Sequence, residues 1–140
     1  GAISNLELKP KIPLNFIFSV NSFGDNLWVG GSDGPLVHYK DSKWVSNYAL
    51  GLVRSLVEGY DQINYVGSSL GFFEINIRNT SVRKIHGEIF NSFNEIKNLN
   101  LDYVNNCIWI GSKNGLYKYN LSTEKLDHIV EKVNKGIGMR

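Results

Sequence analysis

A chain of 140 residues has room for one ordinary domain with a sizeable core and not for two, so it is one domain or a piece of one. Its 42% apolar and 12% aromatic content supplies the burial that disordered chains lack. A formal net charge of +2 is too small to drive nucleic-acid binding by counterion release, and no apolar run is long enough to cross a bilayer.

In chain order, the first predicted strand is Ile17-Phe18-Ser19-Val20, followed after a polar turn by Leu27-Trp28-Val29-Gly30. A turn through Gly34 leads to Leu36-Val37-His38-Tyr39, and a further turn at 40–42 to Lys43-Trp44-Val45. The same four-strand order then repeats. Val53-Arg54-Ser55-Leu56, Asn64-Tyr65-Val66-Gly67, Phe72-Phe73-Glu74-Ile75 and 81–85 make the second unit. Ile96-Lys97-Asn98-Leu99, Ile108-Trp109-Ile110-Gly111, Leu116-Tyr117-Lys118-Tyr119 and 125–129 make the third. Each second strand carries an aromatic, a β-branched residue and a glycine, with another glycine four positions on. The aromatics at 28, 65 and 109 set a period of roughly 40 residues, that of four-stranded propeller blades.

Asp33-Gly34 and Asn114-Gly115 are the dipeptides that primed hairpin turns favour, which places both glycines in the turns themselves. Residues 91–101 hold apolar residues at irregular spacing and are not read as a helix. The expected fold is therefore all-β: a propeller-type segment of three four-stranded antiparallel blades over 15–50, 51–92 and 93–140, the last including the start of a next repeat. Residues 1–14 are read as an N-terminal segment, either an expression remnant or a strand of a neighbouring blade, and they lack a signal-peptide pattern.

The unit that runs Cys107-Ile108-Trp109-Ile110-Gly111 to Leu116-Tyr117-Lys118-Tyr119-Asn120 and on to Ile129 resembles the two-component regulator propeller repeat. The second copy departs from the repeat at Tyr65 and Phe72, and the first at Pro35. The resemblance implies a non-enzymatic, extracytoplasmic (periplasmic) module of a bacterial hybrid two-component sensor, in an assembly that detects glycan fragments. A self-assembling scaffold or lectin-like propeller is the alternative. Three blades are too few for the usual ring of about four to eight. The partners expected are further blades of the same protein or a second copy forming a dimer; an open arc is the third possibility. No nucleic acid and no membrane contact by the segment itself are expected.

Candidate chemistry is sparse. Gly30-Gly31-Ser32-Asp33-Gly34 and Gly67-Ser68-Ser69-Leu70-Gly71 both fit GxSxG, but a nucleophile elbow is followed by a helix and here a strand follows. One cysteine, Cys107, allows neither an internal disulfide nor a zinc site built on two thiolates, and His38, His86 and His128 lack ligand spacing. They are read as sheet-surface or loop imidazoles. No catalytic residue, metal site or cofactor is assigned. Trp28, Tyr65, Trp109 and Trp44 are read as packing between blades. The one candidate ligand site is Phe18, Arg54 and Lys97, equivalent positions of the innermost strands, where the two cations suit an anionic glycan and a neutral one is the other possibility.

Overall fold

The computed structural model describes residues 16–32 and 34–131. The segment 1–14 and the chain beyond 131, where a next repeat is expected to begin, lie outside the described residues. Among the described residues, twelve strands form three separate four-stranded sheets, each a meander in chain order. The first holds β1 (Ile17–Phe23), β2 (Asn26–Gly31), β3 (Leu36–Lys40) and β4 (Lys43–Tyr48). The second holds β5 (Val53–Glu58), β6 (Ile63–Ser68), β7 (Gly71–Asn76) and β8 (Ser81–Ile85), and the third β9 (Ile96–Asp102), β10 (Cys107–Ser112), β11 (Gly115–Asn120) and β12 (Leu126–Glu131). The innermost strands β1, β5 and β9 lie side by side, β1 against β5 and β5 against β9. This is the blade arrangement that the repeat predicts, and residues 91–101 form turns and then strand rather than helix.

Among the described residues both apolar clusters lie between blades, while Val29, Val37 and Tyr39 of the first blade are buried outside them. Trp28, Leu36 and Tyr48 of the first blade pack with Val53, Leu56, Val66, Phe73 and Ile75 of the second. Tyr65, Phe72 and Ile85 of the second pack with Ile96, Leu99, Ile108, Ile110, Tyr117 and Tyr119 of the third. Alternation along each strand explains this, since successive side chains face opposite neighbours and both faces of a middle blade are covered. Trp28 and Tyr65 are buried as expected of interblade packing, whereas Trp44 and Trp109 are only half-buried.

A glycine follows each aromatic by two residues because the next blade comes too close for a side chain. A Cβ at Gly30 would lie 2.7 Å from Val53 Cβ, and one at Gly67 would lie 2.9 Å from Ile96 Cβ, with Ile96 Cγ2 nearer still. At Gly111 the nearest atom is Asn98 O at 3.9 Å, because no following blade is among the described residues.

The glycine at the second hairpin plays a different part from the one its dipeptide suggests. Ser112 pairs with Gly115, so the loop consists of Lys113 and Asn114 and the glycine opens β11 at φ +142°. Gly71 does the same at +145°, paired with Ser68. The outer strand and its continuation crowd these positions. A Cβ would meet Val130 O at Gly115 and would lie 2.8 Å from Phe90 O at Gly71. Two consecutive positive φ values, the mark of a type I′ turn, occur instead at Asp41 and Ser42, between the paired Lys40 and Lys43, and at Asp61 and Gln62, where Ile63 N donates to Tyr60 O at 3.0 Å.

His38 also departs from the reading of a surface imidazole. It is 1% exposed, lies flat on Trp28 with ring centroids 4.0 Å apart, and its Nε2 is 2.7 Å from Asn26 Oδ1. Burial, then the nearby Lys40, pushes its pKa below the ordinary histidine value, so the ring is neutral at pH 7. The hairpin register causes this: His38 is the cross-strand partner of Trp28, and the pair turns toward the second blade. His38→Ala is thus a core truncation.

Candidate functional site

Phe18, Arg54 and Lys97 are the bulge residues of the three inner strands. In β1 the pairing to β2 steps from Ile17 to Ser19, in β5 it steps from Val53 to Ser55, and in β9 it steps from Ile96 to Asn98. An extra residue in an inner strand is left out of the ladder and its side chain is re-aimed, a common device beside binding sites. The three positions are geometrically equivalent, although their side chains do not form one cluster.

Glu95, immediately before β9, joins two of them. Lys97 Nζ donates to Glu95 Oε1 at 2.6 Å, and Arg54 Nη2 reaches the same oxygen at 3.5 Å. The Lys97 hydrogen bond holds the Glu95 carboxyl below its ordinary value, with smaller contributions from Arg54 and Lys113. The pair of cations therefore carries an internal counter-charge, and its net charge is one positive rather than two. Arg54 keeps spare donor capacity, since its Nε is buried with no hydrogen-bond partner and its contact to Glu95 is long. Phe18 is 53% exposed and stands outside the Arg54–Glu95–Lys97 group. Glu95 has no counterpart in the other repeats, where Phe16 and Leu52 precede the inner strand, so comparing repeats passes over it.

Neighbouring inner strands are tied by side chains. Asn21 Nδ2 donates to Leu56 O at 3.1 Å, and Ser55 Oγ accepts from Leu99 N at 3.1 Å. The serines of the second GxSxG match also serve the backbone. Ser69 Oγ accepts from Leu52 N at 2.9 Å, Ser68 Oγ accepts from Leu70 N at 3.1 Å, and β7 follows without a helix. Cys107 is fully buried, and burial raises its thiol pKa. Among the described residues there is no group of three or more His, Cys, Asp or Glu placed to hold a metal ion, and no helix long and apolar enough to cross a membrane.

Trp109 is anchored at the other end of the third blade. Its Nε1 donates to Asp102 Oδ2 at 3.0 Å, and Lys118 Nζ lies over the ring at 5.6 Å from its centroid. Asn105, then Trp109, lowers the Asp102 pKa to about 2. A carboxylate with a depressed folded-state pKa stabilises the fold fully above its ordinary value near pH 4, and that contribution is lost as pH falls through about 2. The thermal-midpoint gap between the wild type and Asp102→Asn is therefore expected at pH 6 and should shrink toward pH 2. An Asp102 carboxyl carbon that titrates near pH 4 by NMR would refute the shift.

The fold and these inner-strand bulges define a segment of a β-propeller with four-stranded blades. No protein-family model matches the chain, and no curated protein matches it. Solved structures do. The extracellular domain of BT4673 from B. thetaiotaomicron, described in one structure as a one component system, is 27% identical with a TM-score of 0.68, over 86% of this chain. A second structure of that domain, described as from a hybrid two component system, is 26% identical with a TM-score of 0.70 over 90%. The extracellular domain of the hybrid two component system BT3049 from the same organism shares the fold, with a TM-score of 0.71 at 22% identity over 93%. The chain spans only 17–18% of the length of each. It is a propeller segment like those of bacterial two-component extracellular domains, in agreement with the repeat resemblance, and it is extracytoplasmic.

Proposed function

We propose that the chain forms part of the extracytoplasmic sensing region of a bacterial hybrid two-component system and contributes to the binding of glycan fragments without catalysing a reaction. The observation that carries this reading is the 26–27% identity to the BT4673 extracellular domain over 86–90% of the chain. Arg54 and Lys97 are the residues proposed to meet an anionic glycan, with Arg54 the stronger contributor. Its planar fork can take a carboxylate or sulfate in bidentate fashion, whereas the Lys97 ammonium is already held by Glu95.

The test is a glycan array followed by calorimetry on the extracellular region containing this chain. Arg54→Ala is expected to weaken the best anionic hit by roughly 1–3 kcal/mol and Lys97→Ala by less, while Glu95→Gln, which removes the counter-charge, should tighten it. No glycan bound, or an affinity indifferent to all three changes, would sink the reading.

The self-assembling alternative is favoured by the ends of the arc. Ile17 is 50% exposed at the position that Val53 and Ile96 occupy in the later blades, and Gly111 is open where Gly30 and Gly67 receive those residues. A second copy could place its Ile17 at Gly111. Under this reading the 140-residue chain should be a dimer by light scattering, and a monomer at high concentration would exclude it.

A further inference from the structure

The two blade junctions are built on the same plan, so each is a control for the other. Where blade 2 meets blade 3, the residues concerned are Ile63, two before the aromatic of blade 2, and Ile108, immediately before that of blade 3; Ile108 is fully buried and Ile63 packs on the same cluster. Where blade 1 meets blade 2, the corresponding residues are Asn26 and Asn64. Beside the apolar cluster of this junction, at the level of the two asparagines, there is a cavity of about 530 Å³, lined by both of them and by His38, which is bonded to Asn26. That volume is in the range of small-molecule sites.

Asn64 is 0% exposed, and neither Nδ2 nor Oδ1 has a hydrogen-bond partner in the protein. A buried amide with both groups unmet destabilises the fold, and the isoleucine at the equivalent place in the next blade shows that the scaffold accepts an apolar residue there. Glu58 and Asp61 flank the cavity against a single lysine, Lys40, so the surroundings are unfavourable to anions.

We propose that this cavity binds a small uncharged ligand through Asn64, one that presents a hydrogen-bond donor and an acceptor side by side, as a primary carboxamide or a vicinal diol does. Such a group matches the Asn64 amide at two points. A carboxylate offers two acceptors, leaves Asn64 Oδ1 facing lone pairs, and meets the carboxylates of Glu58 and Asp61. The neutral state of the buried His38 removes the cation that would otherwise attract an anion. The site is separate from Arg54 and Lys97 and does not depend on the sensor reading.

The experiment follows the Asn64 and Asn26 side-chain amide resonances of the labelled 140-residue chain by NMR. Methyl glucoside and methyl glucuronide form one matched pair of probes, glutaramide and glutarate the other, at millimolar concentration. Saturable shifts are expected with a neutral probe, at least tenfold weaker with its charged partner. A response to the glucoside alone assigns a sugar, a response to glutaramide alone a side-chain amide, and a response to both the class as a whole. Asn64→Ile, which copies Ile108, should raise the thermal midpoint and weaken binding at least tenfold, and Asn64→Leu, which copies Leu27, provides the same test should the first misfold. The proposal is overturned if no neutral probe moves Asn64, if the anions bind equally well, or if the apolar variants bind like the wild type. A raised midpoint in the variants with no probe binding to the wild type would mean that the cavity holds water only.

Discussion

Phe72→Ala is expected to destabilise the chain by about 3–5 kcal/mol, the usual loss for an aromatic removed from a core that cannot collapse around the gap. Phe72 has no exposed surface and is the ring on which blades 2 and 3 are joined. Phe90 and Tyr119 meet it edge-on, with centroids at 6.0 and 5.2 Å, and Tyr65 stacks at 5.9 Å. These contacts come from three parts of the chain, so no single side-chain shift can fill the hole. Burial also drives the Tyr65 hydroxyl up to about 12, as expected of a phenol held in an apolar seam. Urea denaturation is the measurement, and a loss below about 1 kcal/mol would show that the seam is looser than its geometry.

Adding one methyl group at three equivalent glycines is expected to give two large effects and one small one. Gly30→Ala and Gly67→Ala each force a Cβ into a β-branched residue of the next blade, at Val53 and Ile96, and should cost about 1–3 kcal/mol. Gly111→Ala meets only Asn98 O at 3.9 Å and should be neutral, or slightly stabilising because alanine restrains the unfolded chain. Three thermal melts decide it. Equal losses at all three sites would mean that backbone conformation, and not interblade contact, fixes these glycines. In a longer chain that carries the next blade, Gly111→Ala should become as costly as the other two.

The strands and their grouping into blades were legible because β-branched and aromatic runs recur at one period between turn residues, and every described blade has the predicted strand order. Equivalence of Phe18, Arg54 and Lys97 was legible for the same reason, but the bulge that sets them apart was not, since an extra residue leaves no mark in an apolar pattern. Features that occur once escaped. Glu95 reaches Arg54 across 41 residues of sequence, a contact that exists only because β5 and β9 are neighbours. Asn64 carries a signal that an internal alignment displays, an amide where the other repeats have Leu27 and Ile108. The burial of His38 follows from a register in which it faces Trp28, and composition places histidine anywhere between core and surface. The Asn114-Gly115 dipeptide misled because the crowding by Val130 that demands the glycine comes from β12, outside the turn.

The meander also determines how the molecule meets a mechanical load. In each blade the chain enters at the innermost strand and leaves from the outermost, at opposite edges of the sheet but at the same end of its strands. Tension along the backbone therefore pulls across the ladders, whose hydrogen bonds run perpendicular to the strands, and opens them one at a time like a zip. The Asn21–Leu56 and Ser55–Leu99 hydrogen bonds lie away from that line, linking inner strands of adjacent blades. A stretched chain would thus shed its outer strands first while the inner arc held together, letting out length in small steps instead of transmitting the force undiminished.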